Sequence, residues 1–329
     1  MTVPPSSSAA TDRPGHPARA IFFGSGSFGV PILRGLLEHS VVEVVGVVTP
    51  PDRPAGRHGA PTPVPVAVLA RRAGLPLLQP EHVRAPETAG SIAALEPEIG
   101  VLADFGRIVP PPILEIPAHG ILNVHPSLLP RHRGATPVAA TILSGDAEAG
   151  VTVMRMDEGL DTGPLLGSHA WALERSEIAP VLEARAATEG AALLGELLGP
   201  YLRGEIAPTA QDESLATLTR PLRRTDGLLD PIRPAAQLER QIRAYQPWPG
   251  SFVETPGGRL VILASLVAER GASDQTGMVV ADGLGLALVA ADGRLRLLEV
   301  QPAGGRPMSG AAYRRGHPAI IGQLAGGAG

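Results

Sequence analysis

Short apolar runs of β character alternate with runs whose apolar residues recur at helical spacing, and that alternation leaves few architectures open. RAIFFG at 19 to 24 ends in a glycine-rich turn, and VPILRGLLE at 30 to 38 then places its apolar residues on one helical face. VVEVVGVVT at 41 to 49 is almost continuously apolar, as a strand covered on both faces must be. VPVAVLARRAG at 64 to 74 reads as a helix halted by glycine. LPLLQP, SIAALEPE, IGVLADFG and HGILNVHP continue the pattern to residue 126. Residues 136 to 144 read as helix, GVTVMRM at 150 to 156 as strand, and 178 to 202 as a long amphipathic helix. Repeated βα units of this kind imply an α/β, Rossmann-like domain with a mostly parallel, twisted sheet and helices on both faces.

The pattern changes after residue 205. IAPTAQDESLATLTRPLRRT at 206 to 225 loses apolar periodicity and gains polar residues, the composition of a linker. One helical stretch, AAQLERQIRAYQPWPG, follows, then strand-like runs at FVET, RLVILASLVAE, TGMVVADG, GLALVAADG and RLRLLEVQPA. Turn signals recur about every ten residues, which predicts a small, OB-like β-barrel. The expected organisation is therefore a tail at 1–18, an α/β domain at 19–205, a linker at 206–225 and a β-barrel domain at 226–322.

Composition excludes several kinds of chemistry. With no cysteine, there is no thiolate nucleophile, disulfide or cysteine metal site. All 28 basic side chains are arginine, so Schiff-base catalysis and a P-loop lysine are excluded too. No apolar run is long enough to span a membrane, and the opening residues lack the apolar centre of a secretory signal. The tail is therefore expected to be disordered and the protein cytoplasmic. Residues 1 to 205 hold 15 Arg against 21 Asp and Glu, whereas 206 to 329 hold 13 against 11, so the net charge changes from −6 to +2. That change leaves room for a C-terminal surface that meets phosphate.

Two constellations carry chemical meaning. Gly24-Ser25-Gly26-Ser27-Phe28-Gly29 spells G-x-G-x-x-G between a strand and a helix, the setting of a dinucleotide fingerprint. Its supporting acid would be Asp52, which sits in a loop; tight packing of a βα turn accounts for the glycines more simply. The second is Asn123-Val124-His125, at the end of a strand on the sheet edge where open α/β folds bind ligands. Two residues apart on a strand, Asn123 and His125 face the same way. The loop after GVTVMRM brings Asp161 toward the same edge. An amide, an imidazole and a carboxylate without a Ser or Cys nucleophile suit acyl transfer by direct attack of a substrate amine. Donors would face the developing oxyanion, and the carboxylate would orient the imidazole. No metal-ligand spacing links the other histidines.

The strings around these residues resemble the methionyl-tRNA formyltransferases: NVHPSLLPRHRGATP at 123 to 137, MDEGLDTGPLL at 156 to 166, and later QLERQIRAYQPWPGSFVE at 237 to 254 and LEVQPAGGRPMSG at 298 to 310. The resemblance implies 10-formyltetrahydrofolate as donor, initiator methionyl-tRNA as acceptor, and a metal-free monomer acting in translation initiation. It places Asn123, His125 and Asp161 on the catalytic positions. Ser127, Leu128, Leu129 and Pro130 fall on a folate-associated stretch, and Ala103, Asp104 and Phe105 on the strand end that lines the pterin pocket. It assigns tRNA contacts to Arg53 and Arg57 in the loop at 51 to 63. Arg220, Arg223 and Arg224 near the start of the net-basic region are further candidates. A formyltransferase for nucleotide-linked sugars, a nicotinamide dehydrogenase and a non-enzymatic tRNA binder are the competing expectations.

Overall fold

The computed structural model describes residues 16–55 and 60–325, which divide into two compact units. The expected tail therefore lies, as far as residue 15, outside the described residues. The first unit takes the chain up to Arg133 together with Gly150–Ala170 and Ala184–Thr217; the second takes Gly134–Ala149, Trp171–Glu183 and the chain from Leu218 onward. The first half of the segment with linker composition, up to Thr217, thus packs with the first unit.

A seven-stranded sheet builds the first unit, in the spatial order Leu165–Ala172, Glu148–Arg155, Ile121–His125, Ile99–Ala103, Ala18–Gly24, Val42–Val48 and Leu77–Leu78. The pairings from Ile121–His125 across to Leu77–Leu78 are parallel, and Glu148–Arg155 runs antiparallel to Ile121–His125. Every residue of Ile99–Ala103 and Ile121–His125 is buried, as central strands covered on both faces require. Proline is used where helices begin. Pro65–Arg72, Pro86–Ala93 and Pro111–Leu114 all start on it, at a position whose backbone N–H would be unpaired in any case.

Two elements escape the periodicity. Leu165–Ala172 is an edge strand with one buried residue, so it shows no alternation. Arg53–Ala55 and Ala60–Thr62 pair as a short hairpin inside what reads as a proline-rich loop, since proline is tolerated at strand edges.

The glycines at 24, 26 and 29 are explained by close packing. A Cβ on Gly24 would stand 2.8 Å from the Ala103 carbonyl oxygen, one on Gly29 3.0 Å from it, and one on Gly26 would collide with the Asp104 carboxylate. Ser25 gives both its backbone N–H, at 2.9 Å, and its hydroxyl, at 2.6 Å, to the Asp104 carbonyl. The turn is thereby tied to the end of the neighbouring strand.

The second unit holds a six-stranded antiparallel sheet. Its path runs Ser251–Thr255, Gly258–Ala268, Arg294–Pro302, Gly285–Val289, Val279–Asp282, with Met308–Ser309 added to Arg294–Pro302. Register shifts near Ala264 let the long strand Gly258–Ala268 bend. Leu238 and Ile242 of the helix Ala235–Ala244 close its core against Ile262, Leu288, Leu295 and Val300. No helix among the described residues is long and apolar enough to cross a membrane.

Candidate active site

Asn123 and His125 occupy the last turns of the pleat in Ile121–His125, where Asn123 pairs with Met154 and His125 with Thr152 of the antiparallel neighbour. Both side chains are buried. Asp161 reaches them from the loop after Glu148–Arg155. Its φ of 55° lies in the left-handed region, which aspartate tolerates better than most residues.

Two of these side chains converge on the Asp161 carboxylate. The Asn123 amide donates to Asp161 Oδ1 at 3.1 Å, and His125 Nδ1 lies 3.6 Å from Asp161 Oδ2. On its other side, His125 Nε2 meets the His132 carbonyl at 3.1 Å, which fixes a proton on Nε2 because a carbonyl oxygen can only accept. An amide nitrogen carries two hydrogens, so Asn123 keeps a second donor beyond the one given to Asp161.

Burial is the largest influence on the imidazole and pushes the His125 pKa below the ordinary 6.5. Asp161 and the His132 carbonyl oppose that shift, and the nearby His132 side chain reinforces it. The downward shift favours the uncharged ring, with Nε2–H on the His132 carbonyl and Nδ1 toward Asp161.

The segment after His125 is anchored from below. Buried Thr152 donates its hydroxyl to the Ser127 carbonyl at 2.7 Å and accepts the Leu129 N–H at 3.2 Å. Ser127 turns its own hydroxyl onto the Arg131 carbonyl at 2.7 Å. A Cβ on Gly150 would run into the Leu128 side chain, so glycine there makes room for it. Leu129 is buried, while Leu128 and Pro130 are half-buried.

Ala103, Asp104 and Phe105 sit at the adjoining strand end, since Leu102 pairs with Asn123. Phe105 belongs to the core, edge-on to Phe23 with ring centroids 5.6 Å apart, whereas Asp104 is exposed. Beyond them Ile108, Val109, Pro110 and Pro111 line a cleft of about 390 Å³ with Arg84 and Glu158. A volume of that size accommodates a small organic ligand.

The candidate RNA contacts belong to both units. Arg53 is exposed at the start of its hairpin, and Arg57 lies outside the described residues. Arg220, Arg223 and Arg224 are exposed on the second unit. Arg220 is engaged there, donating to both oxygens of Asp226 at 2.7 and 2.8 Å, and the Arg223 backbone N–H adds a third bond at 2.6 Å. The Arg220 bonds first, then that N–H, outweigh burial and bring the Asp226 pKa from 3.8 down to about 2.

A carboxylate with a depressed pKa stabilises the fold fully above its unfolded value and loses that contribution as pH falls through its folded value. Asp226→Asn is therefore expected to unfold in less urea at neutral pH, with the gap from the parent closing between pH 4 and about 2. A gap that is constant over that window would show that the Asp226 charge contributes nothing.

Thr152 and His132 were not singled out by motif. Thr152 sits in an apolar strand, and only its pairing opposite His125 identifies it. No cluster of His, Asp and Glu able to hold a metal ion occurs among the described residues.

Comparison with known proteins gives the family. The family described as Formyl transferase matches residues 18–198, and that described as Formyl transferase, C-terminal domain, matches 221–318. A methionyl-tRNA formyltransferase from Roseiflexus sp. strain RS-1 is 44% identical, covering 91% of this chain and 93% of its own. Another from Chloroflexus aggregans is 46% identical, covering 91% and 97%. The solved N-formyltransferase of Helicobacter canadensis, in complex with folinic acid and dTDP-3-aminofucose, shares the fold at 17% identity and a TM-score of 0.63, over 85% of this chain and 98% of that one. Both halves of the sequence carry the likeness, and at this identity the chain belongs to the methionyl-tRNA formyltransferase family.

Proposed function

We propose that the protein moves the formyl group of 10-formyltetrahydrofolate to the α-amine of initiator methionyl-tRNA, and that Asn123, His125 and Asp161 carry the reaction. The observation that carries this is the convergence of the Asn123 amide and the His125 imidazole on one half-buried carboxylate at the ligand-binding edge of the sheet. The amine adds to the formyl carbon, and the formyl oxygen becomes an anion that the second Asn123 N–H stabilises. His125, neutral at rest, accepts the proton released by the attacking nitrogen. The imidazolium so formed is held by Asp161 and lends positive charge to the oxyanion. Collapse breaks the bond from carbon to N10 of the folate, and His125 returns the proton to N10.

In the same proposal folate lies along Ala103, Asp104 and Phe105 and along Ser127, Leu128, Leu129 and Pro130. Residues 19–205 form the catalytic domain, 206–225 the linker and 226–322 the tRNA-binding domain, with Arg53, Arg57, Arg220, Arg223 and Arg224 meeting RNA phosphates. The protein works in the cytoplasm as a monomer, without a metal.

The acceptor is tested by offering methionyl-initiator tRNA and a nucleotide-linked amino sugar together with the donor. Formyl is expected on the methionyl-tRNA alone, with a rate that falls steeply as salt rises, because phosphate contacts release counterions. Formylation of the sugar in preference to the tRNA would overturn the acceptor.

A further inference from the structure

Residues 209–217 cross the first unit as an ordered strap, although their composition is that of a linker. Thr209 exchanges two backbone hydrogen bonds with Leu165, at 2.7 and 2.8 Å. At the other end, the Thr217 hydroxyl accepts the His132 N–H at 2.7 Å, and the Thr217 carbonyl accepts the Arg133 N–H at 2.9 Å. His132 has a φ of 59°, and its carbonyl is the one that accepts the hydrogen bond from His125 Nε2–H.

Between these ends sits Gln211. Arg133 is buried and needs acceptors for its charge. Glu213 supplies two, at 2.7 and 2.8 Å, and Gln211 Oε1 supplies a third, bound by Arg133 Nε and Nη2 at 3.0 and 2.8 Å. With its oxygen committed to Arg133, the Gln211 amide can turn only its nitrogen the other way. That nitrogen donates to the Asp161 carbonyl at 2.9 Å and to the Gly163 carbonyl at 2.7 Å. Asp161 is itself in the left-handed region, a conformation that persists only where the surroundings over-determine it.

We propose that Gln211 is a positioning residue for formyl transfer: oriented by Arg133, it clamps the backbone on both sides of Thr162 and thereby sets the Asp161 carboxylate against Asn123 and His125. The role rests on the formyl-transfer reading of the site. It is local in its physics, since two hydrogen bonds decide where one carboxylate lies. Misplacement of a reacting group by about 1 Å costs about 10²-fold in rate.

Gln211→Glu isolates the clamp. The carboxylate still accepts from Arg133 but brings no N–H to the two carbonyls. In the full chain, kcat for methionyl-tRNA formylation is expected to fall about 10²-fold, with KM for both substrates within about twofold. Amide exchange over 157–163 is expected to quicken. Asp212→Ala loosens the same strap at the turn where Asp212 accepts the Ser214 N–H, and is expected to keep the parental kcat. If the added charge blocks folding, Gln211→Leu removes the donor without it.

Parental kcat in the Gln211 variant overturns the proposal, as does an equal loss in Asp212→Ala. Should the parent itself fail to formylate methionyl-tRNA, the formyl-transfer reading falls, and unchanged exchange over 157–163 would then overturn the clamp independently.

Discussion

His125→Ala is expected to lower kcat by roughly 10³-fold, the middle of the range for removing a positioned acid or base, while leaving KM nearly unchanged. The imidazole is buried between one carboxylate and one carbonyl, so no other side chain or solvent molecule inherits its proton-transfer role without rearrangement. Loss of a group that acts only while charge develops removes transition-state stabilisation and spares ground-state binding. The substitution also strips the His132 carbonyl of its donor, and an unsatisfied buried acceptor costs about 1–3 kcal/mol of stability. Steady-state kinetics beside a thermal melt separate the two effects. A folded His125→Ala protein with kcat within a factor of ten of the parent would remove His125 from the chemistry.

Asp161→Asn is the second large effect, with an expected loss of about 10²-fold to 10³-fold in kcat. The shape of the side chain is kept and its charge is lost. The bond accepted from Asn123 weakens, because a charged acceptor binds more strongly than a neutral one. The imidazolium that forms during the reaction loses its counter-charge as well.

The pH dependence gives the sign. Asp161 raises the His125 pKa against the downward push of burial, and His132 is the other titratable group facing the ring. His125 must be neutral to act as base, so the parental acid limb of kcat/KM, which reports the free enzyme, is expected below pH 6.5. Removing Asp161 takes away the upward influence and moves that limb to still lower pH while the plateau falls. A limb that moves to higher pH, or stays in place, would show that Asp161 does not act on the imidazole.

Much of the first unit is legible from periodicity, because central strands buried on both faces write themselves as unbroken apolar runs. Val42–Val48 and Ile99–Ala103 are examples. The paired direction of Asn123 and His125 follows from the two-residue period of a strand. Leu165–Ala172 is not legible, since an edge strand buries too little to impose a pattern. Nor is the bond from the Asn123 amide to Asp161, which uses one of its two N–H groups and leaves the other for an oxyanion.

Gln211 shows why composition misleads. In AQDES, polar residues look like solvated linker, yet a buried arginine 78 residues before Gln211 and 80 before Glu213 demands acceptors, and those two side chains meet that demand. The glycine fingerprint misleads in the opposite sense. Its spacing suggests a pyrophosphate, while its contacts are with the Ala103 carbonyl and the Asp104 side chain.

The central claim is that this site transfers a formyl group from folate to an amine on tRNA. The most direct measurement follows formylmethionyl-tRNA formed by the purified full chain from methionyl-initiator tRNA, with and without 10-formyltetrahydrofolate, beside His125→Ala. Product is expected only with the parent and the donor together. Absence of product under those conditions, or formation at the parental rate by His125→Ala, would contradict the account.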